Sequence, residues 1–280
     1  MERIDAHQHL WKYTPEEYGW ISDAMHALRR DFLPEDLLSE MHSAGVNGAV
    51  AVQARQTMQE THWLLELAER CEAIRGVVGW APIASEAQFN AAMEEFAARP
   101  KLKGLRHIVQ AEPDDFLLGQ EFNRGIRAMR GTGLAYDVLV YERQLPQAIQ
   151  FVDHHPEQIF VLDHIAKPLI SEGVMEPWAS LIRDLAKREN IWCKVSGMAT
   201  EADWGAWTLD SLRPYLDVVV EAFGPRRLIV GSDWPVCLVA CGYRQWFDVL
   251  DEYFAGFSES EREAVFGDTA KQVYRLDQGA

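Results

Sequence analysis

Short apolar or β-branched runs alternate with longer stretches of helical period along the whole chain. The runs fall at 3–6, 48–53, 76–80, 104–109, 135–140, 159–163, 191–195 and 228–230, and each has strand length. Most are continuously apolar rather than alternating, the pattern of strands buried on both faces of a parallel sheet. Between them lie helical patterns at 57–73, 86–98, 119–130, 144–154, 176–188, 209–223 and 243–254. Another helix opens at Pro34-Glu35-Asp36 and stops at Gly45, proline at the start and glycine at the end. Ser85 stands where it can cap the helix that begins at Glu86.

Eight strand–helix units in 280 residues predict an α/β chain folded as a closed (β/α)8 TIM barrel, in one domain spanning 1–280. No Gly-x-Gly-x-x-Gly follows the first strand, which speaks against a dinucleotide fold. The segment 10–32 is too long for an ordinary βα connection and is expected to be a lid or a substrate wall. The last amphipathic segment, 259–276, is expected to pack on the outside as an external C-terminal helix.

Composition narrows the function classes. With 27 basic and 43 acidic residues the net charge is −16, the wrong sign for nucleic-acid binding. Its apolar runs fall short of a membrane span and the N-terminus enters a strand at once, so a cytoplasmic location is expected and no membrane partner. The four cysteines read as small buried hydrophobes rather than a disulfide framework. A homo-oligomer is compatible with the sequence.

In a (β/α)8 barrel the chemistry collects at the C-terminal ends of the strands. Strand 1 ends in Asp5-Ala6-His7-Gln8-His9. Residues two apart on a strand share a face, so His7 and His9 point the same way and suit a divalent metal. Strand 8 ends in Gly231-Ser232-Asp233-Trp234-Pro235, next to strand 1 across the seam. Asp233 is placed to ligate the ion, to take a proton from its water, or both. Strand 6 runs into Asp163-His164-Ile165-Ala166-Lys167. His164 is either a third ligand or a carbonyl-polarising proton shuttle.

Strand 4 supplies Arg106 and His107, and strand 2 supplies Gln53. Arg106, with its rigid donor fork, is the candidate for holding a substrate oxygen. Gln53, His107 and Lys167 are candidate polar contacts, and Trp11, Trp80, Tyr141 and Trp234 candidate walls. Lys194 reads as an internal ion pair.

The ordered set Ile4-Asp5-Ala6-His7-Gln8-His9-Leu10-Trp11, Gly104-Leu105-Arg106-His107, Leu162-Asp163-His164-Ile165-Ala166-Lys167-Pro168, Cys193-Lys194-Val195-Ser196-Gly197 and Gly231-Ser232-Asp233-Trp234-Pro235 resembles the amidohydrolase-2 branch of the amidohydrolase superfamily. Within that branch it is most similar to sugar lactonases of the L-fuconolactone and L-rhamnonolactone type. The resemblance implies a hydrolase that opens a neutral sugar lactone, with Asp233 activating water. It also implies one divalent metal, zinc, on His7, His9 and Asp233; some lactonases of the branch dispense with it. Strand 5, Tyr136-Asp137-Val138, lacks the residues a two-metal site would need. Two rival readings are a metal-dependent decarboxylase on the same scaffold and a non-catalytic sugar-binding protein.

Overall fold

The computed structural model describes residues 1–277. Eight strands form one parallel sheet in sequence order: β1 Ile4–Gln8, β2 Gly48–Val52, β3 Ile74–Gly79, β4 Leu102–His107, β5 Ala135–Val138, β6 Phe160–Leu162, β7 Ile191–Val195 and β8 Leu228–Val230. The seam closes just beyond β8, where Asp233 N donates to His7 O (2.8 Å) and His9 N to Trp234 O (2.6 Å). The chain is therefore a (β/α)8 TIM barrel, as the strand count predicts. Among the described residues no helix is long and apolar enough to cross a membrane.

The outer ring comprises α1 Pro34–Ala44, α2 Met58–Arg70, α3 Glu86–Phe96, α4 Gln120–Ala128, α5 Leu145–His154, α6 Trp178–Leu185, the short α7 Met198–Glu201, α8 Leu209–Phe223 and α9 Tyr243–Tyr253. Helix α1 starts on Pro34, with Asp36 Oδ2 accepting from Leu33 N at 3.0 Å, and ends on Gly45 at φ 66°. That backbone conformation is cheap only for glycine. Helix α2 is capped by Thr57, which accepts from Glu60 N. Ser85 sits at the start of α3 but its hydroxyl makes no capping bond.

Two apolar layers follow from the period of two in the strands. Outward residues such as Ala49, Ala51, Val77, Leu105, Tyr136, Leu162 and Val195 pack under the helices. Inward residues Ile4, Ala6, Val50, Val52, Val78, Ala135, Val161 and Ile229 fill the barrel.

The C-terminal segment differs from expectation. It is split into α10 Glu259–Glu263, a π-turn Ala264–Asp268 and α11 Thr269–Tyr274; α10 lies outside as expected, but α11 does not. Ala270, Val273, Tyr274 and Leu276 join the inward layer and form the barrel floor. An amphipathic stripe fits an outer groove or an open barrel end equally well; here the unfilled end provides the apolar partner.

The segment 10–32 folds over the top of the barrel, its apolar side chains continuous with the layer beneath the helices. Trp11, Tyr18, Ile21, Leu28 and Phe32 are buried, and Trp11 and Phe32 exchange backbone bonds of 3.0 and 2.9 Å.

Candidate active site

A bulge in β1 sets the direction of the first two histidines. The β1–β2 register slips between Asp5 and Gln8, so that His7 and His9 turn inward above Ile4 and Ala6. Such an extra residue commonly re-aims a side chain beside a functional site. Asp5, facing the other way, fastens the seam: it accepts from Ser232 N (2.8 Å), Ser232 Oγ (2.6 Å) and His7 N (3.2 Å).

His164 is presented by an unusual turn. His164, Ile165, Ala166 and Lys167 have φ of 51°, 49°, 62° and 47°, four consecutive residues in the left-handed region. Each costs roughly 1–2 kcal/mol for a residue with a Cβ. Burial of Ile165 and Ala166 holds the turn, as does a 2.7 Å bond from Trp178 Nε1 to Ile165 O. The ring of His164 fits because residue 197 is glycine: a Cβ there would lie 2.6 Å from His164 Nδ1. Asp233 is also left-handed, at φ 58°. Strain of this kind collects at functional sites.

The geometry brings His7, His164 and Asp233 into one buried set with one ligand atom each, all within 4.8 Å of one another. His7 Nε2 and His164 Nε2 lie 3.8 and 3.9 Å from Asp233 Oδ1. His9 Nε2 is 3.3 Å from the same oxygen but stands beside this set rather than in it. The sequence reading paired His9 with His7 and left His164 open.

Outer partners fix the rings. His9 Nδ1 donates to Val52 O (2.8 Å), His164 Nδ1 meets Ser196 Oγ (2.9 Å), and His7 Nδ1 faces Asp163 Oδ1 (3.3 Å). Two imidazole nitrogens and a carboxylate oxygen, oriented by such partners, fit a divalent ion. Burial pushes the His164 imidazole down to about 4, so it is neutral near pH 7. Burial alone would raise the Asp233 carboxyl, but His164, then His9 and His7, hold it well below the usual carboxylate range.

Beneath this set, inward residues one step up from the apolar layer carry four charges. Lys194 Nζ pairs with Asp137 Oδ2 (2.5 Å) and Asp163 Oδ1 (3.0 Å). Arg106 Nη1 pairs with Asp163 Oδ2 at 3.0 Å, and its Nη2 donates to Gln53 O. Tyr274 of the barrel floor donates to Asp137 Oδ1 at 2.8 Å. Burial would raise the Asp163 carboxyl, but Lys194, then His7 and Arg106, keep it well below its ordinary value. Two acids balance two bases, which is what makes so much buried charge tolerable.

Above the set opens a cavity of about 330 Å³ lined by His9, Arg106, His164, Asp233 and Lys167. Trp20, Gln56, Ile108, Gln110, Leu139 and Val236 complete most of the wall. Of the predicted substrate contacts only Lys167 is on this wall, 3.2 Å from Glu201. The others do not line it. Gln53 is buried and donates to Arg106 O (3.1 Å). Trp11 donates to Arg30 O (2.9 Å), and Trp234 is buried against Phe32. Trp80 Nε1 meets His107 Nδ1 (3.4 Å), and His107 Nε2 pairs with Glu112 (2.8 Å). Tyr141 lies under Arg143 and Lys167. Strand-end tryptophans fill space between elements because a large ring gains most when wholly buried. The wall comes instead from loop residues, which have no periodicity to betray them.

A protein-family model described as amidohydrolase matches residues 4–276. The L-fucono-1,5-lactonase of Burkholderia multivorans is 39% identical over 290 residues, covering 99% of this chain and 97% of that protein. The L-fucono-1,5-lactonase of Burkholderia ambifaria is 36% identical over 282 residues, covering 98% and 96%. A crystal structure of a Burkholderia multivorans amidohydrolase with bound zinc superposes with a TM-score of 0.92 at 39% identity, over 99% of this chain and 100% of that one. On the match across nearly its full length, this chain belongs to the amidohydrolase family.

Proposed function

We propose that the protein hydrolyses a sugar lactone of the L-fucono-1,5-lactone class to its sugar acid. The observation that carries this reading is the convergence of Asp233, His164, His9 and Arg106 on one cavity, with His7 directly behind it, in a chain so similar to L-fucono-1,5-lactonases.

Asp233, ionised and held low by its histidines, orients the attacking water and takes its proton. Water adds to the lactone carbonyl carbon, the ring C–O bond breaks, and the proton passes to the departing alkoxide. Arg106 donates to the oxygen that gains charge, and His164 Nε2–H joins it when no ion occupies the site, its Nδ1 being engaged by Ser196. Arg106 Nε–H has no partner among the described residues and Arg106 lines the cavity; one preorganised donor is worth roughly 3–4 kcal/mol. A divalent ion on His7, His164 and Asp233, zinc by the donor set, would polarise the carbonyl or lower the pKa of bound water towards ~7. Trp20, Ile108 and Leu139 offer an apolar face for the sugar ring, and Gln56, Gln110 and Lys167 offer polar partners for its hydroxyls.

The test is acid release from a panel of aldonolactones, followed with a pH indicator, with and without a chelator. Rapid release from L-fucono-1,5-lactone is expected, with kcat for Asp233→Asn lower by at least about 10³-fold and an unchanged circular dichroism spectrum. Release from no lactone, or near-normal turnover in Asp233→Asn, would overturn the assignment.

A further inference from the structure

Arg106 stands against one of the atoms that a metal would need. Its Nη1 is 3.3 Å from His7 Nε2. A guanidinium has donors only, so as a hydrogen bond this contact uses the lone pair of Nε2. The other ring nitrogen, Nδ1, faces both Asp163 Oδ1 at 3.3 Å and the Lys194 ammonium at 3.2 Å, and of the two only the carboxylate can accept a ring proton. An imidazole nitrogen has one lone pair. The face of His7 that looks toward Asp233 Oδ1 is also its Nε2 face, so His7 offers the same lone pair to the His7–His164–Asp233 set.

We infer that Arg106 is a built-in competitor for the metal: the guanidinium and a divalent ion are alternative occupants of the His7 Nε2 lone pair. The inference rests on the reading of His7, His164 and Asp233 as ligands. Arg106 does not withdraw freely, because Asp163 Oδ2 holds it at 3.0 Å and Gln53 O takes its other arm. The charges below the site leave no room for both. Asp137 and Asp163 are already balanced by Lys194 and Arg106, so an entering dication has only Asp233 to offset it. Metal binding is therefore weaker than these three ligands would give alone. When the ion is absent, the chain still presents a fixed cation at the same atom.

The experiment is equilibrium zinc binding by competition with a chromophoric chelator, on the full chain and on Arg106→Gln. Zinc Kd should fall by about tenfold or more in Arg106→Gln, the range by which outer groups of metal sites alter affinity. Lys194→Met is the charge control. It removes the same unit of charge 3.2 Å from the other ring nitrogen, His7 Nδ1, and should tighten zinc much less. An unchanged or weaker Kd in Arg106→Gln, no zinc binding in that variant, or equal tightening in Lys194→Met overturns the competition. Should Arg106→Gln not fold, the wild-type chain with 15N-labelled arginine supplies the second measurement. Saturating zinc should shift a buried guanidinium resonance, and unmoved resonances overturn the inference. Zinc binding is read without a lactone, so failure here leaves the lactonase proposal standing, and failure of the lactone assay leaves this one testable.

Discussion

Replacing Gly197 with alanine tests whether the position of His164 matters to catalysis. An added Cβ would stand 2.6, 2.8 and 3.1 Å from Nδ1, Cγ and Cβ of His164. Ordinary contact begins near 3.4 Å, so the ring must retreat by 3.4 − 2.6 = 0.8 Å. The ring is already pinned by the left-handed turn behind it, and the retreat strains the 2.9 Å contact with Ser196. It also changes the 3.9 Å separation from Asp233. A misplacement of about 1 Å in a positioned group costs about 10²-fold in rate, or ~2.7 kcal/mol in barrier.

A second effect must be separated from this one. Gly197 has φ 62°, and alanine there costs ~1 kcal/mol in backbone strain alone. Gly173 is the matched control, at φ 67° with nothing within 4 Å of its added Cβ. Both variants should lose ~1 kcal/mol of stability from the backbone, a few degrees in Tm, while only Gly197→Ala should lose kcat/KM for L-fucono-1,5-lactone. A Gly197→Ala protein that keeps kcat/KM within about threefold of wild type would refute the placement of His164 in the reaction.

Three other outcomes follow from the same geometry. Glu60 is buried beneath the loop after β2 and accepts from Ala54 N and Arg55 N (3.1 and 2.7 Å); burial pushes its carboxyl from 4.5 up to about 7. The folded state thus binds the extra proton between those values, and the stability it contributes is present below 4.5 and lost as pH rises through 7. The Tm advantage of Glu60→Gln over wild type should grow from pH 5 to pH 8, by up to ~3 kcal/mol in stability; a constant difference would contradict the burial argument. Tyr274→Phe strips a donor from buried Asp137 and should cost ~1–3 kcal/mol in urea unfolding; an unchanged midpoint would show that the floor is not tied to the charged layer. Trp20→Ala should raise KM by about tenfold with kcat little changed, because an exposed wall residue binds ground and transition states alike; a fall in kcat alone would count against that role.

The strands and helices were legible because their period is set by burial, and burial here is nearly complete. His7, His164, Asp233 and Arg106 were legible because strand ends of a barrel converge, whatever the loops do. His9 and His164 were harder to rank. The β1 bulge and the left-handed turn set how His7, His9 and His164 gather around Asp233, and neither leaves a periodic trace. Trp11 and Trp234 are packed between elements, where a large ring fits as well as in a ligand wall. Trp20, Gln56 and Gln110 escaped because they lie in irregular connections, where only the folded path brings them to the cavity. The floor formed by Thr269–Tyr274 was read as an outer helix, since an apolar stripe does not say which surface it covers.

That floor has a consequence for how the protein comes into being. Every residue of the cavity wall lies at or before Val236, so all the chemical groups of the site have been synthesised well before α11 emerges. Until α11 docks, the apolar layer around Ile4, Ala135 and Val161 is open from below, and Asp137 lacks its tyrosine partner. The first strand and the last described helix meet in this layer, and contacts of such long sequence separation form late and slowly. A nascent chain carrying the complete set of reactive residues is thus expected to remain an open, aggregation-prone intermediate, and to become an enzyme only when α11 seals it.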